Sequence, residues 1–201
     1  LAYSVTIEDV YESGRYKNRN INKTLYTVIK MIEKNGDSVI SGYEVVLNEN
    51  GEYEFSVSGT KLLRYLADIY GHKSIDSLEL QEKNATPDEV VEYLCSTKKY
   101  GIGSYTDPDD SSTFVPCMGY TKDELLKIIT IRDAMSANSY QKYIATTVAT
   151  DVSEASVAVV MENCNELQGV SIVEDTVRKY VDSIYFSQII GYTGKISQEE
   201  L

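Results

Sequence analysis

Apolar positions along this chain switch between strand-like alternation and helix-like spacing, and the switches predict its elements. Residues 1–7 (LAYSVTI) predict a strand, and the polar stretch 8–19, which contains Gly14, predicts a loop. Leu25, Val28, Ile29 and Ile32 share one helical face, with Asn22 as the expected N-cap and Asn35-Gly36 as a left-handed stop. Residues 43–47 and 53–57 flank Asn48-Glu-Asn-Gly51 and predict an antiparallel strand pair. Ser58 or Thr60 then opens a helix that carries Leu62, Leu63, Leu66 and Ile69 and closes at Gly71.

Two capping boxes follow. Thr86-Pro87-Asp88-Glu89 starts a helix with Val90, Val91 and Leu94 on its inner stripe, and Thr121-Lys-Asp-Glu124 starts one that runs through Leu125, Ile128, Ile129, Arg132 and Met135. Between them, residues 107–112 (DPDDSS) read as a polar loop. Residues 140–150 turn β-branched and aromatic, which predicts a long strand. Residues 151–154 then cap a helix whose apolar face holds Val157, Val160, Met161 and Cys164, ended by Gly169, and 170–181 is again strand-like. Strands lie at both ends and helices cluster between them, so the expected class is α+β rather than a doubly wound sheet. Residues 1–57 and 140–201 are expected to form a mixed strand and helix body, and 58–139 an inserted, helix-rich head lobe.

Length and charge narrow the function. A chain of 201 residues with 42% hydrophobic content can bury a sizeable core, and a net charge of −12 opposes binding to nucleic acid or an anionic membrane surface. The longest aliphatic run, 157–161, is far too short to insert into a membrane. Leu1 is not a start methionine, so the chain is expected to be an internal piece of a longer protein whose targeting segment lies upstream. Seventeen Tyr against three Phe and no Trp suit half-buried packing, contact surfaces, or both. Cys95, Cys117 and Cys164 are too few and too scattered for a disulfide scaffold; free thiols are expected, with room for one bridge.

No motif in the chain carries chemistry in its required context. His72, the only histidine, follows Gly71 at a helix end, and no strained nucleophile turn accompanies it. One His and three scattered Cys do not make a zinc site, and Asp107, Asp109 and Asp110 lack the later ligands of a calcium loop. Gly101-Ile-Gly103 has no strand and helix around it to cradle a nucleotide. Asn22-Lys-Thr24 and Asn84-Ala-Thr86 are sequons short enough to arise by chance. Ser96-Thr-Lys-Lys99 fits the SxxK of serine acyltransferases and Ser136-Ala-Asn138 the SxN that follows it, yet Ser96 falls at a helix end and no KTG exists. Catalytic, metal and cofactor residues are therefore all expected to be absent.

The C-terminal quarter carries a family likeness. Ala149-Thr-Asp-Val-Ser-Glu154, Leu167-Gln-Gly-Val-Ser-Ile172, Arg178-Lys-Tyr180 and Ile189-Ile-Gly-Tyr-Thr-Gly-Lys-Ile-Ser-Gln-Glu-Glu-Leu201 resemble successive segments of the N-terminal pedestal, or dimerisation, region of class B penicillin-binding proteins. Val181 stands where the family places Pro, which leaves that turn less rigid. Leu1-Ala2-Tyr3, Lys99-Tyr-Gly-Ile102 and the helix from Thr121 resemble the rest of the pedestal. The resemblance implies a non-catalytic spacer and interaction module, elongated in shape, on the extracytoplasmic face of the bacterial membrane. Its parent would be anchored by an upstream helix and would cross-link peptidoglycan as a β-lactam-sensitive D,D-transpeptidase, in a domain beyond residue 201. Other cell-wall synthesis proteins and a second copy are the implied partners, and Gly191 and Gly194 would let the following domain lean. An unrelated secreted binding or adhesive domain is the alternative.

Overall fold

A computed structural model describes residues 2–14, 16–138 and 144–175. The central strand, β1 (Ala2–Ile7), lies between two antiparallel partners, β6 (Thr146–Ala149) and β7 (Val170–Asp175). Val5 faces Ala149 on one side and Ile172 on the other, and the β6 register slips between Val5 and Thr6. Five of the six β1 residues are buried because strands cover both edges and α6 (Glu154–Glu162) packs across β1 and β7. The class is mixed α+β, as expected.

The helix α1 (Lys17–Lys34) begins five residues before the predicted cap. Asn22 is no cap: it sits inside the helix, 2% exposed, with its amide spent on tertiary hydrogen bonds rather than on a helix end. The long strand expected over 140–150 also shortens. Residues 139–143 lie outside the described set, Ile144 is exposed and outside the strand, and β6 starts only at Thr146, which pairs with Ile7 where β1 ends. The apolar face expected of α6 is narrower too: Val160 and Leu167 are buried, while Met161 is 60% exposed and Cys164 is exposed. A nine-residue helix laid on one sheet buries a single stripe, and Met161 points away from it.

Between the sheet strands run the pair β2 (Val45–Leu47) and β3 (Tyr53–Phe55), then α2 (Gly59–Tyr70), a 3₁₀ turn (Ile75–Ser77), α3 (Leu80–Lys83) and α4 (Pro87–Cys95). A short hairpin of β4 (Gly103–Tyr105) and β5 (Phe114–Pro116) leads into α5 (Lys122–Ala137). Both predicted capping boxes are formed, at Thr86 with Glu89 and at Thr121 with Glu124. Buried side chains from these elements make one continuous cluster that includes Val5, Leu25, Leu66, Leu94, Ile102 and Ile128. Tyr43 and Tyr65 meet edge to face within it, with ring centroids 5.6 Å apart. No described helix is long and apolar enough to cross a membrane. Leu1 and the segments from 176 onward, including Arg178-Lys-Tyr180, Gly191, Gly194 and the end of the predicted 170–181 strand, lie outside the described residues.

Candidate functional site

Charged residues on an apolar helix face need a reason, and Arg132 has one. It follows Ile128, Ile129 and Ile131 on α5, all fully buried, and is itself only 9% exposed. One guanidinium nitrogen, Nη1, donates to Asn22 Oδ1 at 2.5 Å and to the Tyr100 carbonyl at 3.2 Å; the other, Nη2, donates to Asn18 Oδ1 at 2.7 Å. Asn22 Nδ2 donates in turn to the carbonyls of Tyr100 and Gly101, each at 2.9 Å. The Tyr100 hydroxyl donates to Asp133 Oδ1 at 3.0 Å, and its ring lies beside the Arg132 guanidinium, 5.2 Å from the centroid.

This hub joins three pieces that are distant in sequence: the start of α1, the turn after α4, and α5. The turn is possible because Gly101 adopts φ +60°, and a Cβ there would come within 3.2 Å of Asn18 Cβ. Burial pulls the Arg132 guanidinium down to about 10 and raises the Asp133 carboxyl above the usual carboxylate range. Among the described residues no carboxylate forms an ion pair with Arg132, so its charge is held by amide and carbonyl dipoles and the Tyr100 ring.

Beside the hub lies a polar cavity of about 700 Å³, lined among others by Glu8, Asp9, Lys17, Lys98, Lys99 and Arg132. Two of its lysines are already engaged. Lys17 pairs with Asp9 at 2.7 Å, and Lys99 Nζ donates to the Ile69 carbonyl at 2.9 Å. The Ser96 hydroxyl ends α4 by donating to the Tyr93 carbonyl at 2.7 Å, and Asn138 Nδ2 donates to Thr146 Oγ1 at 3.1 Å. A serine nucleophile needs a base that accepts its proton. Here the SxxK serine and lysine each hold a different backbone carbonyl.

The other residues singled out in the sequence are structural in their contacts. His72 Nε2 and Glu82 Oε2 lie 2.7 Å apart, and the same carboxylate oxygen accepts from the Glu79 N–H, so the pair ties the end of α2 to the start of α3. Asp107 and Asp110 accept from backbone N–H groups of their own loop, and no cluster of three metal-binding side chains occurs among the described residues. Asp37, which sequence reasoning passed over, accepts three bonds from α6: Ser153 N–H at 2.9 Å, Ser153 Oγ at 2.7 Å and Ser156 Oγ at 2.5 Å. Those bonds hold its carboxyl below the usual range. They also give the serine of the Ala149–Glu154 motif a physical role, since Ser153 is the N-cap of α6 and Asp37 fixes it in place.

The profile of the penicillin-binding protein dimerisation domain matches residues 2–201. No curated protein matches the chain.

Proposed function

Because the chain belongs to the penicillin-binding protein dimerisation domain family, a non-catalytic domain, we propose that it is the pedestal of a membrane-anchored class B enzyme that cross-links peptidoglycan. In this reading it stands on the extracytoplasmic side, spaces the D,D-transpeptidase domain from the membrane, and self-associates or contacts other cell-wall synthesis proteins. The observation that carries the reading is the extent of the family match, which runs through nearly the whole chain and leaves no room for a second domain within it. The fate of the SxxK residues agrees: a serine and a lysine bound to separate carbonyls act as chain-ending groups, not as a nucleophile and its base.

The chain ends, 1–57 and 140–201, form the pedestal body in this proposal, and 58–139 the head. The Arg132 hub joins them, since Asn18 and Asn22 belong to the body and Tyr100, Gly101 and Arg132 to the head. A load passed from the membrane side to the head crosses buried, directional hydrogen bonds as well as the apolar contact of α1 with α5.

Sedimentation equilibrium of the purified chain tests the associative half of the proposal. A mass that rises with protein concentration toward twice that of the 22.5 kDa chain is expected. A single monomer mass up to millimolar concentration would remove self-association from the reading.

A further inference from the structure

We propose that Cys95 and Cys117 form an intramolecular disulfide that clamps the end of α4 to the end of β5. Cys95 is the last residue of α4 and is fully buried; Cys117 follows β5 and is half-buried. The element that ends in Cys95 packs against the strand that Cys117 follows, and the two thiols lie close enough for each to shift the other's ionisation. Cys117 also takes φ +66°, a left-handed conformation that a residue with a Cβ adopts only when its surroundings hold it there. Its N–H donates to the Ile102 carbonyl at 2.9 Å, which fixes the backbone, and its side chain packs against the core cluster that contains Cys95.

The two thiols are unequal in the way stepwise oxidation requires. Hydrogen bonding from Cys95 holds the Cys117 thiol below its usual value, while that bond and burial push the Cys95 thiol up. The oxidant is a small or protein disulfide. The Cys117 thiolate attacks one of its sulfurs and expels the other, which takes up the proton Cys117 lost. Cys95 then loses its proton and attacks the Cys117 sulfur, expelling the oxidant's second sulfur as a thiol. Two protein thiols become one disulfide, and the oxidant's disulfide becomes two thiols. The bond closes the chain around the β4–β5 hairpin and its acidic loop, which bury few side chains of their own. Cys164, exposed after α6, is the odd thiol.

The proposal rests on the extracytoplasmic reading for its setting, where such oxidants act, but not for its geometry. Purified chain treated with oxidised glutathione is expected to lose two hydrogens in intact mass, to yield a Cys95–Cys117 linked peptide, and to leave Cys164 open to alkylation. Its melting temperature should rise by roughly 5–10 °C over the reduced form, and Cys117→Ala should abolish both changes without unfolding the chain. A persistent glutathione adduct on Cys117, or a Cys164-linked dimer with Cys95 still reduced, overturns the proposal. In cells, alkylation of acid-trapped thiols with and without external protease separates the two readings. A bonded chain that is cut from outside supports both; a reduced chain that is cut from outside overturns the clamp and keeps the location. A chain protected from protease overturns the location, and the glutathione result then decides the clamp.

Discussion

Arg132 makes three long-range hydrogen bonds from a buried site. Arg132→Ala leaves Asn22 Oδ1 and Asn18 Oδ1 without their Arg132 donor in a buried site and takes one of two donors from the Tyr100 carbonyl, at an expected cost of about 3 kcal/mol in urea denaturation. Arg132→Lys should recover only part of this, because an ammonium cannot span Asn18 and Asn22 as the planar fork does. A loss below about 1 kcal/mol for the alanine variant would show that the hub is not structural. Asp37 makes a pH prediction. Its folded-state pKa is lowered by bonds from Ser153 and Ser156, so the stability it gives is complete above the unfolded carboxylate value, near about 4, and is lost as pH falls through the folded value. Asp37→Asn should lower stability at neutral pH and flatten that acid-side slope in denaturation curves recorded from neutral pH down to acid. Two members of the hub left traces in the sequence. Arg132 interrupts an isoleucine-rich face and Asn22 falls in register with Leu25 and Ile29, so each is a polar residue placed where a core residue belongs. What could not be read was the partner, because Asn22 and Arg132 lie far apart in the chain and no local pattern links them.

At the scale of elements, legibility followed length and capping chemistry. The helices from Thr86 and Thr121 and the pair around Asn48–Gly51 were predictable because the signal is local: an oxygen at the cap, a Glu three residues on, a glycine at φ +73°. The start of α1 was not, since Tyr16 provides no side-chain cap and the first turn, Lys17 to Asn20, looks like a loop until Asn18 is seen bonded to Arg132. The β4–β5 hairpin escaped because its three-residue strands carry no readable alternation and, unlike the pair around Asn48–Gly51, no Asn-Gly marks its turn. It packs tightly all the same: a Cβ on Gly103 would sit 2.3 Å from the Val115 carbonyl oxygen and 2.8 Å from Phe114 Cζ. Gly103→Ala is therefore expected to break the β4–β5 pairing and speed amide exchange from 103 to 116, with the β1–β6–β7 sheet unchanged. Unaltered exchange in the hairpin would show that its backbones can separate at no cost.

For the molecule as a whole, α1 and α5 pack together and bring distant stretches of the chain into contact. Lys30 pairs with Glu124 at 2.6 Å, and Lys127 bridges Glu33 and Asp123. These exposed and half-exposed pairs add little each; the burial of Leu25, Ile29, Ile128 and Arg132 beneath them sets the geometry. The proposed scaffold role accords with this organisation, and a formal net charge of −12 opposes binding to nucleic acid or anionic lipid. The central claim is that Ser96, the serine of the Ser96–Lys99 tetrad, ends a helix and is not an active-site nucleophile, and a fluorescent penicillin tests it most directly. Incubated with the purified chain and run on a denaturing gel, the probe should leave no covalent band. A band that disappears in Ser96→Ala would mean that Ser96 is acylated, and would contradict the account.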